Sequence, residues 1–120
     1  MPKLATFPKA ELDDLVKGSM SLSDYLDFAS GLDIDGVELY PLIADLKDPG
    51  SWGDYRQTCS DMGLEIPMLC CSPDFTHPDP VFRAQEIEKE KKWIEMAHAL
   101  GARFCRVLSG QRRPEISREQ

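Results

Sequence analysis

Two rhythms of apolar residues alternate along the chain, short continuous runs and longer stretches with helical spacing, and glycines mark the change from the second to the first. Read forward, the runs are Gly31-Leu-Asp-Ile-Asp-Gly-Val-Glu-Leu-Tyr40, Gly63-Leu-Glu-Ile-Pro-Met-Leu-Cys-Cys71 and Gly101-Ala-Arg-Phe-Cys-Arg-Val-Leu108. Each has the form of a helix C-cap feeding a strand. With the run that ends at Pro8, the pattern predicts strands over residues 3–7, 37–40, 66–71 and 104–108. The near-continuous apolar character of 66–71 is what a parallel strand covered on both faces requires.

The intervening stretches predict helices. Ala10, Leu12, Leu15 and Val16 suit a short one over residues 9–19. Ser21 with Asp24 three residues on forms a cap signature, followed by Leu22, Tyr25, Leu26, Phe28 and Ala29 at helical spacing. Ser51 with Asp54 repeats the signature ahead of Tyr55, Cys59 and Met62, after a loop with one turn near residues 42–46. The longest helix starts at Asp79-Pro80, an N-cap followed by proline at the first helical position. Val81, Ala84, Ile87, Ile94 and Ala97 form its expected apolar stripe, widened by Trp93, Met96 and Leu100. Glu86, Glu88, Lys89, Glu90, Lys92 and Glu95 form the expected solvated face.

Strand and helix thus alternate as β-α-β-α-β-α-β, which imposes parallel strands and right-handed crossovers. An open doubly wound sheet and part of an eight-stranded barrel both satisfy this order. The first fits less well, because no Gly-x-Gly-x-x-Gly turn follows the first strand. A complete (β/α)8 barrel needs ~250 residues, so the expected fold class is α/β, the N-terminal half of a TIM barrel. Residues 1–120 form one partial domain, truncated near the start of the fourth barrel helix. Ser117-Arg-Glu-Gln120 has the pattern of a further cap with no helix behind it, which points to a truncated product or an incomplete gene model.

Composition narrows the partners. The chain is 42% hydrophobic with a net charge of -7 and a pI near 4.7, so its field repels nucleic acid and anionic membranes. No apolar run approaches the ~20 residues of a membrane span and no signal-peptide core precedes Pro8, so the cytoplasm is the expected compartment. Cys59, Cys70, Cys71 and Cys105 lack C-x-x-C spacing and read as reduced, buried small hydrophobes. Three of them fall on the third and fourth strands, where a sulfur-lined core is the commoner reading than a soft-metal cluster.

Ligand sites of parallel α/β folds lie at the C-terminal strand ends. There the sequence places Glu38 and Tyr40, then Ser72, Asp74 and His77, then Arg106, Ser109, Gln111, Arg112 and Arg113. This set of acids, hydroxyls, guanidinium groups and one imidazole can grip a hydroxylated or anionic small molecule. Glu38 and Arg106 each interrupt an apolar strand and are expected to face the barrel interior together, as a structural ion pair or as substrate contacts. His77 occupies a loop where ligands and proton shuttles occur, or else seats the turn at Pro78-Asp79-Pro80. His98 near a helix C-terminus complements the dipole. Adjacent Arg112 and Arg113 suit a sugar phosphate or simple solvation. No histidine has a partner at metal-helix spacing, so the sequence offers no complete metal site and no catalytic residue can be assigned.

Gly36-Val-Glu-Leu-Tyr40, Cys71-Ser-Pro-Asp-Phe-Thr-His-Pro-Asp79 and Cys105-Arg-Val-Leu-Ser-Gly-Gln111, in this order, resemble the xylose isomerase-like barrel superfamily, and within it the sugar phosphate isomerase/epimerase group. The resemblance covers the whole chain but only the first half of that fold. It implies metal-assisted proton transfer on a ketose or aldose, a sugar or sugar phosphate as partner, and Glu38, Asp74, His77 and Arg106 as substrate-binding residues. A divalent manganese, magnesium or zinc ion is implied for full-length relatives, held by residues of later strands, and none is expected on this chain alone. Catalysis by the 120 residues alone is accordingly not expected. The alternatives are a metal-dependent hydrolase of the apurinic endonuclease branch, against which stand Arg106 and Ser109 where histidine would be needed, and a non-catalytic half-barrel that self-associates through its exposed sheet edges.

Overall fold

The computed structural model describes residues 1–115 and residue 117; the cap pattern at 117–120 lies outside the described residues beyond its serine. Four strands, β1 (Ala5–Thr6), β2 (Gly36–Val37), β3 (Met68–Cys70) and β4 (Phe104–Arg106), lie side by side. Ala5 pairs with Gly36 and Thr6 with Val37, while Met68, Leu69 and Cys70 pair with Phe104, Cys105 and Arg106. Bridges from Gly36 to Glu65 and from Leu39 to Leu69 join the two halves, and every pairing is parallel. Strand order therefore follows chain order. A doubly wound sheet would carry β1 in its interior, whereas a barrel sets each strand beside its predecessor, so the topology is that of a partial barrel.

The strands are shorter than their apolar runs. Val37 N donates to Glu65 O at 2.9 Å and Leu39 N to Met68 O at 3.1 Å, so two residues of one strand span three of the other. The extra residue is a bulge at Ile66 and Pro67, where proline lacks the N–H that a regular ladder would use. Its effect is visible in burial, since Ile66 and Leu69 both lie in the core although three residues apart.

The helices are α1 (Leu12–Lys17), α2 (Leu22–Ser30), α3 (Trp52–Asp61) and α4 (Pro80–Leu100). Ser21 caps α2 as expected, accepting from Asp24 N at 3.0 Å, and Asp79 caps α4, accepting from Val81 N at 2.8 Å. Ser51 does not cap α3. Its hydroxyl instead donates to Asp45 O and Asp48 O at 2.9 and 2.7 Å, because two 3-10 turns, Ala44–Leu46 and Pro49–Ser51, run directly into that helix.

One core lies between the sheet and the helices. Val37, Leu39, Leu69 and Cys71 meet Leu22, Tyr25, Leu26 and Ala29 of α2, Cys59 of α3, and Met96, Ala97 and Leu100 of α4. Residues of opposite parity, Glu38, Tyr40, Cys70 and Arg106, occupy the other sheet face.

The seating of α4 corrects the expected stripe. Glu86, Glu90, Met96, Ala97 and Leu100 are the buried positions, with Trp93 packed against the core, whereas Val81, Ile87 and Ile94 are 63, 47 and 52% exposed. Met96, Ala97 and Leu100 fix the helix rotation at its C-terminal end, which leaves the expected stripe of Val81, Ile87 and Ile94 at the surface. Phe104 and Val107, in and just after the last strand, are exposed too, Phe104 on the inner sheet face with Arg106 and Val107 on the opposite one. No described helix is long and apolar enough to cross a membrane.

Gly36 sits where three strands converge. A Cβ there would lie 2.6 Å from Glu65 O, a backbone atom that cannot move without breaking the β2–β3 junction. Gly36→Ala should lower stability by about 1–3 kcal/mol, read as a fall in the urea midpoint with an unchanged slope. A midpoint equal to that of the parent chain would show that the junction has slack.

Candidate functional site

Beyond β3 and β4 two loops close over the C-terminal end of the sheet, and Asp74 ties them together. Within its own loop, Asp74 Oδ1 accepts from Thr76 N at 3.2 Å and from Thr76 Oγ1 at 3.1 Å, the local turn that aspartate favours. From the second loop, Gln111 N donates to the same oxygen at 3.3 Å and the Arg113 guanidinium pairs with Oδ2. Phe75 N donates to Ser109 O at 3.1 Å, which adds a backbone clasp. Such close approach requires glycine at 110, where a Cβ would collide with Thr76 Oγ1 and come within 2.8 Å of Asp74 Oδ1. Burial alone would raise the Asp74 carboxyl. The Arg113 hydrogen bond and the Thr76 and Gln111 donors outweigh it and hold it below its ordinary 3.8.

The clasped loops form one wall of a cleft of about 810 Å³ lined by His77, Arg83, Gln111, Arg112 and Arg113 among others, with Glu115 as its acid. The His77 ring stacks on Phe82 with centroids 4.1 Å apart. His77 Nδ1 accepts from Asp79 N at 3.0 Å, so in this geometry the ring proton belongs on Nε2. Arg83 Nη1 donates to His77 O at 2.6 Å and Pro78 O at 3.0 Å and thereby holds the His77 turn against α4. The Arg112 side chain makes no hydrogen bond or ion pair among the described residues, whereas Arg113, for which the sequence suggests a sugar phosphate contact or simple solvation, is committed to Asp74.

Glu38 and Arg106 share the inner sheet face but do not pair. Cys70, on the strand between theirs, donates its thiol to Glu38 Oε2 at 3.5 Å. Arg106 turns to its own neighbours, Nε toward Cys71 O at 3.4 Å and Nη2 to Ser72 Oγ at 3.2 Å. The expected ion pair is corrected on this point: the intervening strand separates the two charges. Burial, the Glu38 charge and its hydrogen bond push the Cys70 thiol up to about 11 against the pull of Arg106.

The four expected contacts thus fall into two groups, Asp74 and His77 at the rim and Glu38 and Arg106 on the inner face. Arg83 went unseen in the sequence because it lies in the first turn of a helix rather than at a strand end. Its spacing of six residues from His77, just past Asp79-Pro80, was the available signal. The rim residues do not fit a divalent metal: both Asp74 oxygens and His77 Nδ1 are occupied by protein donors. The described residues with three metal-capable donors in reach of one another, Cys71, Glu90 and Cys105, lie on the helix-covered face instead.

Comparison with known proteins agrees with this architecture. Among curated protein sequences none matches the chain. Among solved structures, the probable 3-DHS dehydratase AsbF of Bacillus anthracis, involved in petrobactin synthesis, superposes with a TM-score of 0.72 at 20% identity over 92% of this chain and 39% of its own. A xylose isomerase-like TIM barrel/4-hydroxyphenylpyruvate dioxygenase fusion protein superposes with a TM-score of 0.65 at 22% identity over 83% of this chain and 16% of its own. These likenesses concern the fold, and the chain spans well under half the length of either. A family profile described as xylose isomerase-like TIM barrel matches residues 26–120. With strands ordered as a barrel orders them and that match over most of its length, the chain belongs to the xylose isomerase-like TIM barrel family.

Proposed function

We propose that residues 1–120 are the substrate-gripping part of a sugar or sugar phosphate isomerase or epimerase of this family, acting in the cytoplasm. The observation that carries the reading is the cleft. Arg83 and Arg112 line it beside His77, with Glu115 as the one acid among its described lining residues and Arg113 neutralised by Asp74, so a locally cationic site stands in a protein of net charge -7. An anionic sugar fits such a site, its phosphate or carboxylate meeting Arg112 while the His77 Nε2 proton donates to an oxygen. Glu38 and Arg106 then meet hydroxyls from the inner sheet face, and Asp74 acts by fixing the wall that carries Arg112. Proton transfer between sugar carbons needs an acid and a base flanking the reacting atoms. The residues here supply binding and orientation, no step is assigned to them, and the divalent metal of such enzymes has no ligand set at this rim. The exposed apolar positions Ile87 and Ile94 on α4, and Phe104 on the inner face of β4, support self-association of the isolated chain.

Titration calorimetry of the 120-residue chain with a ketose phosphate tests the reading. Arg112→Ala should weaken binding roughly tenfold, the scale of one charge-assisted contact, and the unphosphorylated sugar should bind more weakly still. Equal affinity for both sugars would remove the anion from the proposal. In a protein that also carries later strands, His77→Ala should reduce turnover more than stability. Loss of stability with full turnover would make the residue a loop support only.

Asp74 gives a pH signature. Its folded value is depressed, so its contribution is fully present above its unfolded value and is lost as pH falls through the folded one. Asp74→Asn should therefore lower the melting temperature at neutral pH, with the gap from the parent chain closing as the pH falls below 3.8. A gap independent of pH would mean that the lost contact is not ionic. Sedimentation of the isolated chain should show mass rising with concentration, and Phe104→Ser with Ile94→Ser should suppress the rise; a monomer at all concentrations would refute association through these exposed apolar positions.

A further inference from the structure

The helix-covered face of the sheet holds a cluster that the proposed function does not use. Cys71 Sγ lies 3.5 Å from Cys105 Sγ, and Cys105 Sγ lies 3.4 Å from Glu90 Oε1. One ligand atom from each of the three falls within 4.8 Å of the others. The sulfurs are far beyond the ~2.05 Å of a disulfide. Two thiolates and a carboxylate around one tetrahedral zinc, at about 2.3 Å and 2.1 Å from the metal, stand about 3.8 Å and 3.6 Å apart. The Cys71–Cys105 and Cys105–Glu90 separations match those edges to within a few tenths of an ångström.

A second observation points the same way. Glu90 is only 5% exposed, and its Oε2 is buried with no hydrogen-bond partner. Glu86, one turn earlier on the same face, also buries an oxygen without a hydrogen bond; Lys89 Nζ stands 3.2 Å from it as an ion pair whose angle is unsuited to hydrogen bonding. A carboxylate in the core beside a second acid, with a thiol as its one hydrogen-bond partner, lacks a compensating positive charge. Among the described residues no arginine or lysine pairs with Glu90, and a divalent cation would supply what is missing.

We propose that Cys71, Cys105 and Glu90 form a binding site for a borderline-soft divalent ion of the zinc type, clamping α4 to β4 and to the end of β3 on the helix-covered face of the sheet. Binding forms two metal–sulfur bonds and one metal–oxygen bond and releases the two thiol protons to solvent. Water takes the fourth position, reaching it from the side of half-buried Cys105. Cys70 is excluded although adjacent in sequence, because it faces the other way, toward Glu38. The site is independent of the sugar reading, and sequence alone conceals it because Glu90 sits in a run of charges that reads as solvated.

The test uses the full 120-residue chain, reduced and stripped with a chelator, titrated with zinc and separately with cobalt. One equivalent should bind, and cobalt should produce a sulfur-to-metal charge-transfer band together with the visible intensity of a tetrahedral site. Cys71→Ser and Cys105→Ser should each abolish the band. Glu90→Gln should weaken zinc by roughly tenfold or more, and Cys59→Ser and Cys70→Ser should leave it intact. Circular dichroism reports whether each variant folds; if Cys71→Ser does not, Cys105→Ser at the half-buried position and the parent cobalt spectrum still decide the matter. Absence of stoichiometric binding, a cobalt spectrum without the thiolate band, survival of the band in folded Cys105→Ser, or a mass showing a Cys71–Cys105 disulfide formed in preference to metal binding would each overturn the proposal.

Discussion

A strand can be followed by a parallel neighbour only after the chain has crossed back over one face of the sheet, and the right-handed crossover puts each connection on the same side when strand order follows chain order. Everything else in this protein depends on that constraint. It collects α2, α3 and α4 on one face, where the apolar core forms. It leaves Glu38, Tyr40, Cys70 and Arg106 on the other, and it delivers the loops after β3 and β4 to a common end, where Asp74 can reach across. Chemistry is partitioned by the same rule, with anion-binding groups at the strand ends and thiols with a buried carboxylate beneath the helices.

The clasp at Asp74 shows how a candidate contact becomes part of the scaffold. A carboxylate engaged by two backbone N–H groups, a hydroxyl and a guanidinium has little capacity left for a ligand. What it offers instead is preorganisation: Arg112 is adjacent to Arg113, and the loop that carries both is pinned before any substrate arrives. Fixing a binding loop in advance reduces the ordering cost of association. Arg83 does the same for the opposite wall by holding the carbonyls of His77 and Pro78.

Most of the architecture was legible in the sequence because it rests on local signals. Ser21, Asp79-Pro80 and the apolar runs marked elements that the structure contains. The misreadings arose where tertiary context decided. Two apolar stripes compete on α4, and spacing cannot tell which faces the core. The choice was made by Met96, Ala97 and Leu100 at one end, at the expense of Val81, Ile87 and Ile94. Strand alternation sets Glu38 and Arg106 on one face, but alternation carries no information on the strand that lies between them. The rim of the site was only partly readable, since Arg83 reaches it from a helix and Arg113 is consumed by a residue 39 positions away.

The bulge at Ile66 and Pro67 has a consequence for how this chain can change over generations. Because side chains alternate along a strand, one surplus residue decides which of the adjacent cysteines faces which way. A deletion of a single codon at that point would preserve the composition of the strand and nearly all of its hydrophobicity. It would still set each later residue back one place, moving Cys71 into the Cys70 position toward Glu38 and Cys70 into the Leu69 position on the helix-covered face, while withdrawing Leu69 from the core. Substitutions in this segment can be absorbed one at a time. Changes of length cannot, so its spacing should be held constant in descendants even where its residues drift.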